Sequence, residues 1–172
     1  PGHSSAASDV YKRQELNGDW KKRIDDLDVF WFDWKEEHKG RKYLMRLLDI
    51  AKDYFDLSSA IGYETWIRMS TRPRDWHRDH DDRLEMTTGE LKYPICTTCY
   101  YPYVADNIKD GRLCFENGTI VLPKTNRMVF FGPDVYHNVE PFTGERISIL
   151  LNPWNEPLCQ TPCHDPWRRY MV

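Results

Sequence analysis

The sequence predicts a mainly β domain, a double-stranded β-helix or jelly roll with at least one helix packed outside it. Three observations carry the prediction. From residue 60 on, apolar residues recur with a period of two, and turn-forming residues interrupt them at short intervals. Upstream, one segment alone, 41–58, has the three- and four-residue spacing of an amphipathic helix. Charged residues make up 30% of the chain, but 7 Trp, 10 Tyr and 7 Phe supply side chains large enough to fill a core.

The elements follow in order. Residues 1–14, PGHSSAASDVYKRQ, have no apolar periodicity, and SSAASDVYKRQ resembles the in-frame translation of a sequencing-library adapter. This segment is expected to be non-native or disordered, leaving 15–172 as a single domain, since 172 residues suit one core. LDVFWFDW (27–34) reads as a strand closed by the charged run KEEHKGRK. In RKYLMRLLDIAKDYFDLS (41–58), Leu44, Leu47, Leu48, Ala51, Tyr54 and Phe55 form one helical face. The strands are AIGYETWIRMS (60–70), YPICTTCYYPYV (93–104), RLCFE (112–116), GTIVL (118–122), RMVFF (127–131), YHNVE (136–140) and RISILLN (146–152). KDG, ENG, PKTN, GPDV and PFTGE between them have turn chemistry. A closed barrel satisfies so many short strands better than an open sheet, and barrels of this kind hold ligands in their mouths.

Charge and composition exclude several classes of partner. A net charge of −3, with Lys and Arg dispersed, argues against nucleic acid, and no apolar run approaches the roughly 18 residues of a membrane helix. Five cysteines cannot close a complete set of internal disulfides, so reduced thiols and a cytoplasmic location are expected. Cys96 and Cys99 form a CxxC which, with Cys159, Cys163 and His164, would suit a structural zinc, although the later spacing is unusual for one.

The chemistry concentrates in DWHRDHDD (75–82), two histidines and four aspartates in eight positions. Two histidines and one carboxylate on one face of an octahedron leave three positions open on Fe(II). His77 and Asp79 have the required H-x-D spacing, because alternate residues of extended chain point the same way; Trp76 then marks the strand end and Arg78 points away. His80, Asp81 and Asp82 fall into the following loop, where Asp81 and Asp82 read as solvated, although His80 with Asp82 is a second H-x-D. His137, after the GPDV turn, supplies the third ligand. Nine residues later Arg146 offers a fork of donors for a carboxylate, and Ser148 adds a hydroxyl on the same face. Asn152 shares that face. Tyr63, Trp66, Arg68 and Trp154 could line the mouth, although aromatic residues on strands more often belong to the core.

The succession WHRD, YYP, DGRLCF, NGTIVLPKTNRMVFF and YHNVEPFTGERISILLNPW, over residues 60–154, resembles the 2-oxoglutarate- and Fe(II)-dependent oxygenases in their prolyl 4-hydroxylase-like branch. The resemblance implies that His77, Asp79 and His137 hold iron and that Arg146 and Ser148 hold the distal carboxylate of 2-oxoglutarate. It further implies that a tyrosine of the Tyr100–Tyr101 pair donates to that carboxylate. Adjacent strand residues face opposite ways, so only one can, and Tyr101 is preferred. Where the family often has two glycines before L-x-F, Asp110 and Gly111 stand here, which bears on the turn and not on the chemistry. The implied reaction consumes 2-oxoglutarate and O2, with ascorbate as an accessory reductant, and releases succinate and CO2. The retained carboxylate Asp79 points to hydroxylation, of a peptide prolyl residue, an amino acid or a small metabolite. A non-catalytic, cupin-like metal-binding domain and a small zinc-stabilised module are the alternatives from other classes.

Overall fold

The computed structural model describes residues 29–69 and 72–159, and the period-two alternation becomes two antiparallel sheets. The larger runs in the order β1 (Phe30–Asp33), β2 (Gly62–Arg68), β11 (Arg146–Trp154), β4 (Thr97–Val104) and β8 (Arg127–Phe131). The smaller comprises β3 (Arg74–His77), β9 (His137–Val139), β6 (Leu113–Phe115) and β7 (Ile120–Val121). A two-residue ribbon pairs β5 (Lys109–Asp110) with β10 (Phe142–Thr143). Strands distant in sequence are neighbours in space, as β11 lies between β2 and β4, and every pairing is antiparallel. The sheets meet where Phe115 of β6 and Phe131 of β8 pack edge to face, with ring centroids 5.1 Å apart. The result is the predicted mainly β jelly roll.

The large sheet is buried on both faces, and strand alternation sorts its side chains between two cores. Leu151 joins Phe32, Tyr63 and Cys96 in the outer core, covered by helix α1 (Arg41–Ala51) through Leu47, Leu48 and Ala51. Its neighbour Leu150 packs instead with Cys99, Tyr101 and Val104 in the barrel interior. Leu48 and Leu151 are fully buried, each contributing about 1.5–3 kcal/mol by burial alone. Between Ile147 and Ile149 the pairing with β4 slips: Ile147 faces Tyr103 and Ile149 faces Tyr100, so Tyr101 and Pro102 together oppose Ser148. Pro102 has no N–H to donate, which suits it to such a bulge.

Three expectations need correction. The helix ends at Ala51, well short of residue 58. The chain leaves it through a turn in which Tyr54 and Phe55 both donate to the Ala51 carbonyl. Phe55 still packs on the core and Tyr54 stacks on Phe130, so the apolar spacing outlasts the helix that it resembles. A second helix, α2 (Asp82–Thr88), occupies what reads as loop. It buries no residue and therefore carries no apolar period, but its ends are marked by the Asp81 side chain accepting from Leu84 N (3.0 Å) and by Gly89 at φ 77°. Asp81 is accordingly not a solvated turn residue: it is 5% exposed and also accepts from Cys159 N at 2.5 Å. Finally, β3, β5 and β10 are additional short strands. The segment 1–14 and residues Cys163 and His164 lie outside the described residues. Among the described residues no helix is long and apolar enough to cross a membrane.

Candidate metal and cosubstrate site

His77 ends β3 directly opposite His137, which begins β9, and the two rings lie 4.3 Å apart. Asp79 follows beyond the end of β3, so strand alternation alone does not aim it. Its carboxylate is held from the other sheet, where Thr97 Oγ1 of β4 donates to Oδ2 at 2.7 Å. His77 Nε2 stands 3.6 Å from Asp79 Oδ1, and His137 Nε2 stands 4.0 Å from Oδ2. One ligand atom from each of the three residues falls within 4.8 Å of the others, a spacing that a single cation can share but a direct hydrogen bond cannot span.

The tautomers favour a cation. His77 Nδ1 lies 2.7 Å from the Asp75 carbonyl and His137 Nδ1 lies 2.9 Å from the Val135 carbonyl. A carbonyl only accepts, so both Nδ1 atoms carry a proton, and both Nε2 atoms are left facing Asp79. Burial, and then the neighbouring His137, push the His77 pKa down to about 4, which keeps that imidazole neutral and available as a ligand. Phe131 and Phe115 pack around His137, at 4.7 and 6.3 Å between ring centroids, and close the apolar side of the group.

The second H-x-D also forms a cluster, of His80, Asp82 and Glu85. Here His80 Nε2 is 2.7 Å from Glu85 Oε2 and 3.3 Å from Asp82 Oδ1, with both carboxylates largely exposed on the first turn of α2. Burial of His80 opposes its charge, yet the Arg78 carbonyl and the two carboxylates outweigh burial and raise its pKa. This is the electrostatics of an ion pair on a helix surface. The His77 group is a different case, with two imidazole rings turned toward one carboxylate between two sheets.

Arg146 is 6% exposed at the start of β11. Its Nη1 donates to the Gly111 carbonyl at 2.6 Å, and its guanidinium lies 4.2 Å from the Phe142 ring centroid and 5.7 Å from that of Tyr101. Asp110 and Gly111 both have positive φ, 65° and 73°. A Cβ at Gly111 would approach Phe142 Cβ to 2.9 Å and Arg146 Nη1 to 3.0 Å, so the glycine lets the backbone close over the guanidinium. Ser148 is buried two residues on and reaches only the Arg68 carbonyl, at 3.5 Å. Tyr101, 1% exposed, belongs to the interior with Arg146, whereas Tyr100 packs against the outer core and donates to Asn126 Oδ1 at 3.1 Å. Strand alternation sets this division.

The remaining candidates separate. Tyr63 does not reach the mouth: it is fully buried in the outer core, its hydroxyl 2.7 Å from His38 Nε2. Trp154 is also buried. Trp66 and Arg68 line a cleft that includes Asp79. Arg78 lines that cleft too and does not point away, while it pairs with Asp134 at 2.6 Å. Trp76 is 43% exposed and stacks on Tyr136, so it covers the surface beside the site and does not anchor an interior. Cys96 and Cys99 fall in different cores on opposite faces of the sheet and cannot chelate one ion together. Burial pushes their pKa values up to about 12 and about 11, and no candidate metal group among the described residues includes a cysteine.

Two residues of the site escape sequence reasoning. Thr97 holds Asp79, a contact between sheets with no local signature. Glu64 is buried on the inner face of β2, opposite Asn152, whose Nδ2 donates to Oε1 at 3.0 Å. Burial raises its pKa to about 8. Alternation back from Arg68 through Trp66 leads to Glu64, so this signal was present in the strand pattern.

The fold and this group together define a jelly-roll barrel carrying two histidines and one carboxylate between its sheets. Solved structures share that fold. A prolyl-4-hydroxylase from Pseudomonas putida superposes with a TM-score of 0.51 at 19% identity, covering 77% of this chain and 73% of that one. An oxidoreductase of the 2OG-Fe(II) oxygenase family from Burkholderia pseudomallei gives 0.50 at 11% identity, covering 81% and 76%. No family model and no curated protein matches the chain by sequence. The chain thus has the fold of prolyl-4-hydroxylase-like 2-oxoglutarate oxygenases, as the motif order implies.

Proposed function

We propose that the chain is an Fe(II)- and 2-oxoglutarate-dependent dioxygenase that hydroxylates an unactivated C–H bond. The observation that carries this reading is the convergence of the Nε2 atoms of His77 and His137 on one inter-sheet carboxylate, in the same barrel as the buried Arg146 and Ser148. In this reading His77, Asp79 and His137 hold the iron, and Arg146, Ser148 and Tyr101 hold the distal carboxylate of the cosubstrate. Bound iron with 2-oxoglutarate and O2 supplies the oxidising chemistry, one oxygen atom going to the substrate and one to succinate as CO2 leaves.

The chain's own residues supply position and charge. Both imidazoles are locked by their Nδ1–H bonds to backbone carbonyls, and Thr97 fixes the torsion of Asp79. Arg146 spends Nη1 on Gly111 and keeps its other N–H groups for a carboxylate, in a pocket where Phe142 and Tyr101 exclude water and so strengthen the pairing. The Tyr101 hydroxyl stays protonated, since burial and then Cys99 raise its pKa well above the ordinary value, and it can therefore donate. The Pseudomonas putida protein of this fold is a prolyl-4-hydroxylase, which makes a prolyl residue one candidate substrate alongside amino acids and small metabolites.

The test is Fe(II)-dependent succinate formation from 2-oxoglutarate by the purified protein. Asp79→Ala is expected to abolish it; full turnover in that variant would refute the assignment. Stoichiometric iron without 2-oxoglutarate turnover would mark the non-catalytic metal-binding alternative.

A further inference from the structure

We propose that the cleft between β2 and β3 is the substrate pocket and that it selects a small molecule by its carboxylate, with Arg74 as the recognising group. The inference rests on the oxygenase reading and deepens it by naming the substrate class. The cleft reaches Asp79, so a molecule seated there lies beside the metal ligands. At about 140 Å³ it is small against the roughly 300–1,000 Å³ of pockets that take drug-sized ligands.

Its charge is the specific feature. Arg68, Arg74 and Arg78 all line it. Arg78 is compensated outside the cleft by Asp134, at 2.6 Å, and stacks on Tyr136, so it is a fixed wall. Arg74 makes no ion pair among the described residues and stands on β3, three residues before His77. Arg68 is the register partner of Ser148, on the inner face of β2. The acids of the cleft do not balance Arg74. Asp79 serves the metal, Asp82 lies 3.3 Å from His80, and Glu64 is held largely neutral near pH 7 by burial. The indole Nε1 of Trp66, a residue that lines the same cleft, is buried with no hydrogen-bond partner among the described residues. Guanidinium and indole groups only donate, so the cleft matches a ligand that only accepts and brings negative charge. A peptide backbone meets neither condition, since it is neutral and brings one donor for each acceptor.

The experiment is anaerobic calorimetry on the Fe(II)-loaded protein with its cosubstrate site filled by saturating 2-oxoglutarate. The probes are the standard L-amino acids and simple aliphatic and aromatic carboxylates, each titrated against its own amide, together with acidic peptides. At least one small carboxylate is expected to bind, with its amide weaker by about tenfold or more, as the loss of a charge-assisted hydrogen bond implies. Arg74→Gln, at an exposed position of β3, should remove most of that discrimination and leave 2-oxoglutarate affinity unchanged. Equal binding of acids and amides, binding of acidic peptides alone, or no binding by any carboxylate while 2-oxoglutarate binds would each overturn this inference and spare the oxygenase reading. Failure to bind 2-oxoglutarate would overturn both.

Discussion

Glu64→Gln should remove a pH dependence of stability that the native chain carries between about pH 5 and 8. In the unfolded chain Glu64 titrates near its ordinary value of 4.5; in the folded protein burial raises it to about 8, opposed by the Asn152 hydrogen bond and reinforced by the Asp79 charge. Between those values the native state keeps the proton and the unfolded state has lost it, so raising the pH favours unfolding. The contribution is complete below 4.5 and lost as the pH rises through 8. A separation of about 3.5 units at 1.36 kcal/mol each sets the ceiling, with about 3 kcal/mol lost by pH 7 and 4–5 kcal/mol by pH 9. Glutamine keeps an Oε1 acceptor for Asn152 Nδ2 and cannot ionise, so the variant keeps the contact without the titration. Urea denaturation of the metal-free protein and the variant across this range measures the difference, in which carboxylates common to both cancel. The variant should gain on the native protein steadily from pH 5 to 8. Parallel profiles, with a constant gap, would refute the claim that Glu64 is buried and protonated in the barrel.

Thr97→Val keeps the volume and removes the hydroxyl that orients Asp79; it should weaken Mn(II) or Fe(II) binding by about 10–100-fold with little change in fold, read by metal titration and circular dichroism. Gly111→Ala puts a side chain at φ 73° against Phe142 and Arg146, and should cost about 1–3 kcal/mol in chemical denaturation while raising the KM for 2-oxoglutarate. Tyr101→Phe should raise that KM by about fivefold to tenfold for one lost hydrogen bond, with kcat little changed, whereas Tyr100→Phe, which acts on the outer face, should leave it alone.

What was legible in the sequence is what strand periodicity encodes. The run RISILLN announces that Arg146, Ser148, Leu150 and Asn152 share a face, and β11 carries them on its inner side, with Leu151 in the opposite core. Helix α1 was legible for the same reason, since its buried stripe repeats at three and four. Helix α2 was not, because it buries nothing and its only marks are a capping aspartate and a terminal glycine. Nor can periodicity reveal what joins two sheets: the Thr97–Asp79 bond spans 18 residues of chain and depends on how the sheets close. Tyr63 shows the opposite limit. An aromatic strand residue near the mouth in sequence can belong to either face, and this one is sealed beneath α1 by His38 and Phe32.

The octet DWHRDHDD turns on the same distinction between spacing and surroundings. His77 and His80 each place Nδ1 against the carbonyl two residues earlier, so local backbone geometry does not separate them. Their Nε2 atoms do. That of His80 is within hydrogen-bond distance of Glu85 on an exposed helix turn, where the Arg78 carbonyl and the carboxylates raise its pKa and a cation would compete with a proton. That of His77 faces a carboxylate 3.6 Å away, too far for a hydrogen bond, and a second imidazole, in a setting where burial resists its protonation. A metal ligand needs its lone pair free and its proton elsewhere. By that criterion the first H-x-D is the stronger ligand pair, and the second belongs to an ion-pair cluster on the first turn of the helix that borders the cleft.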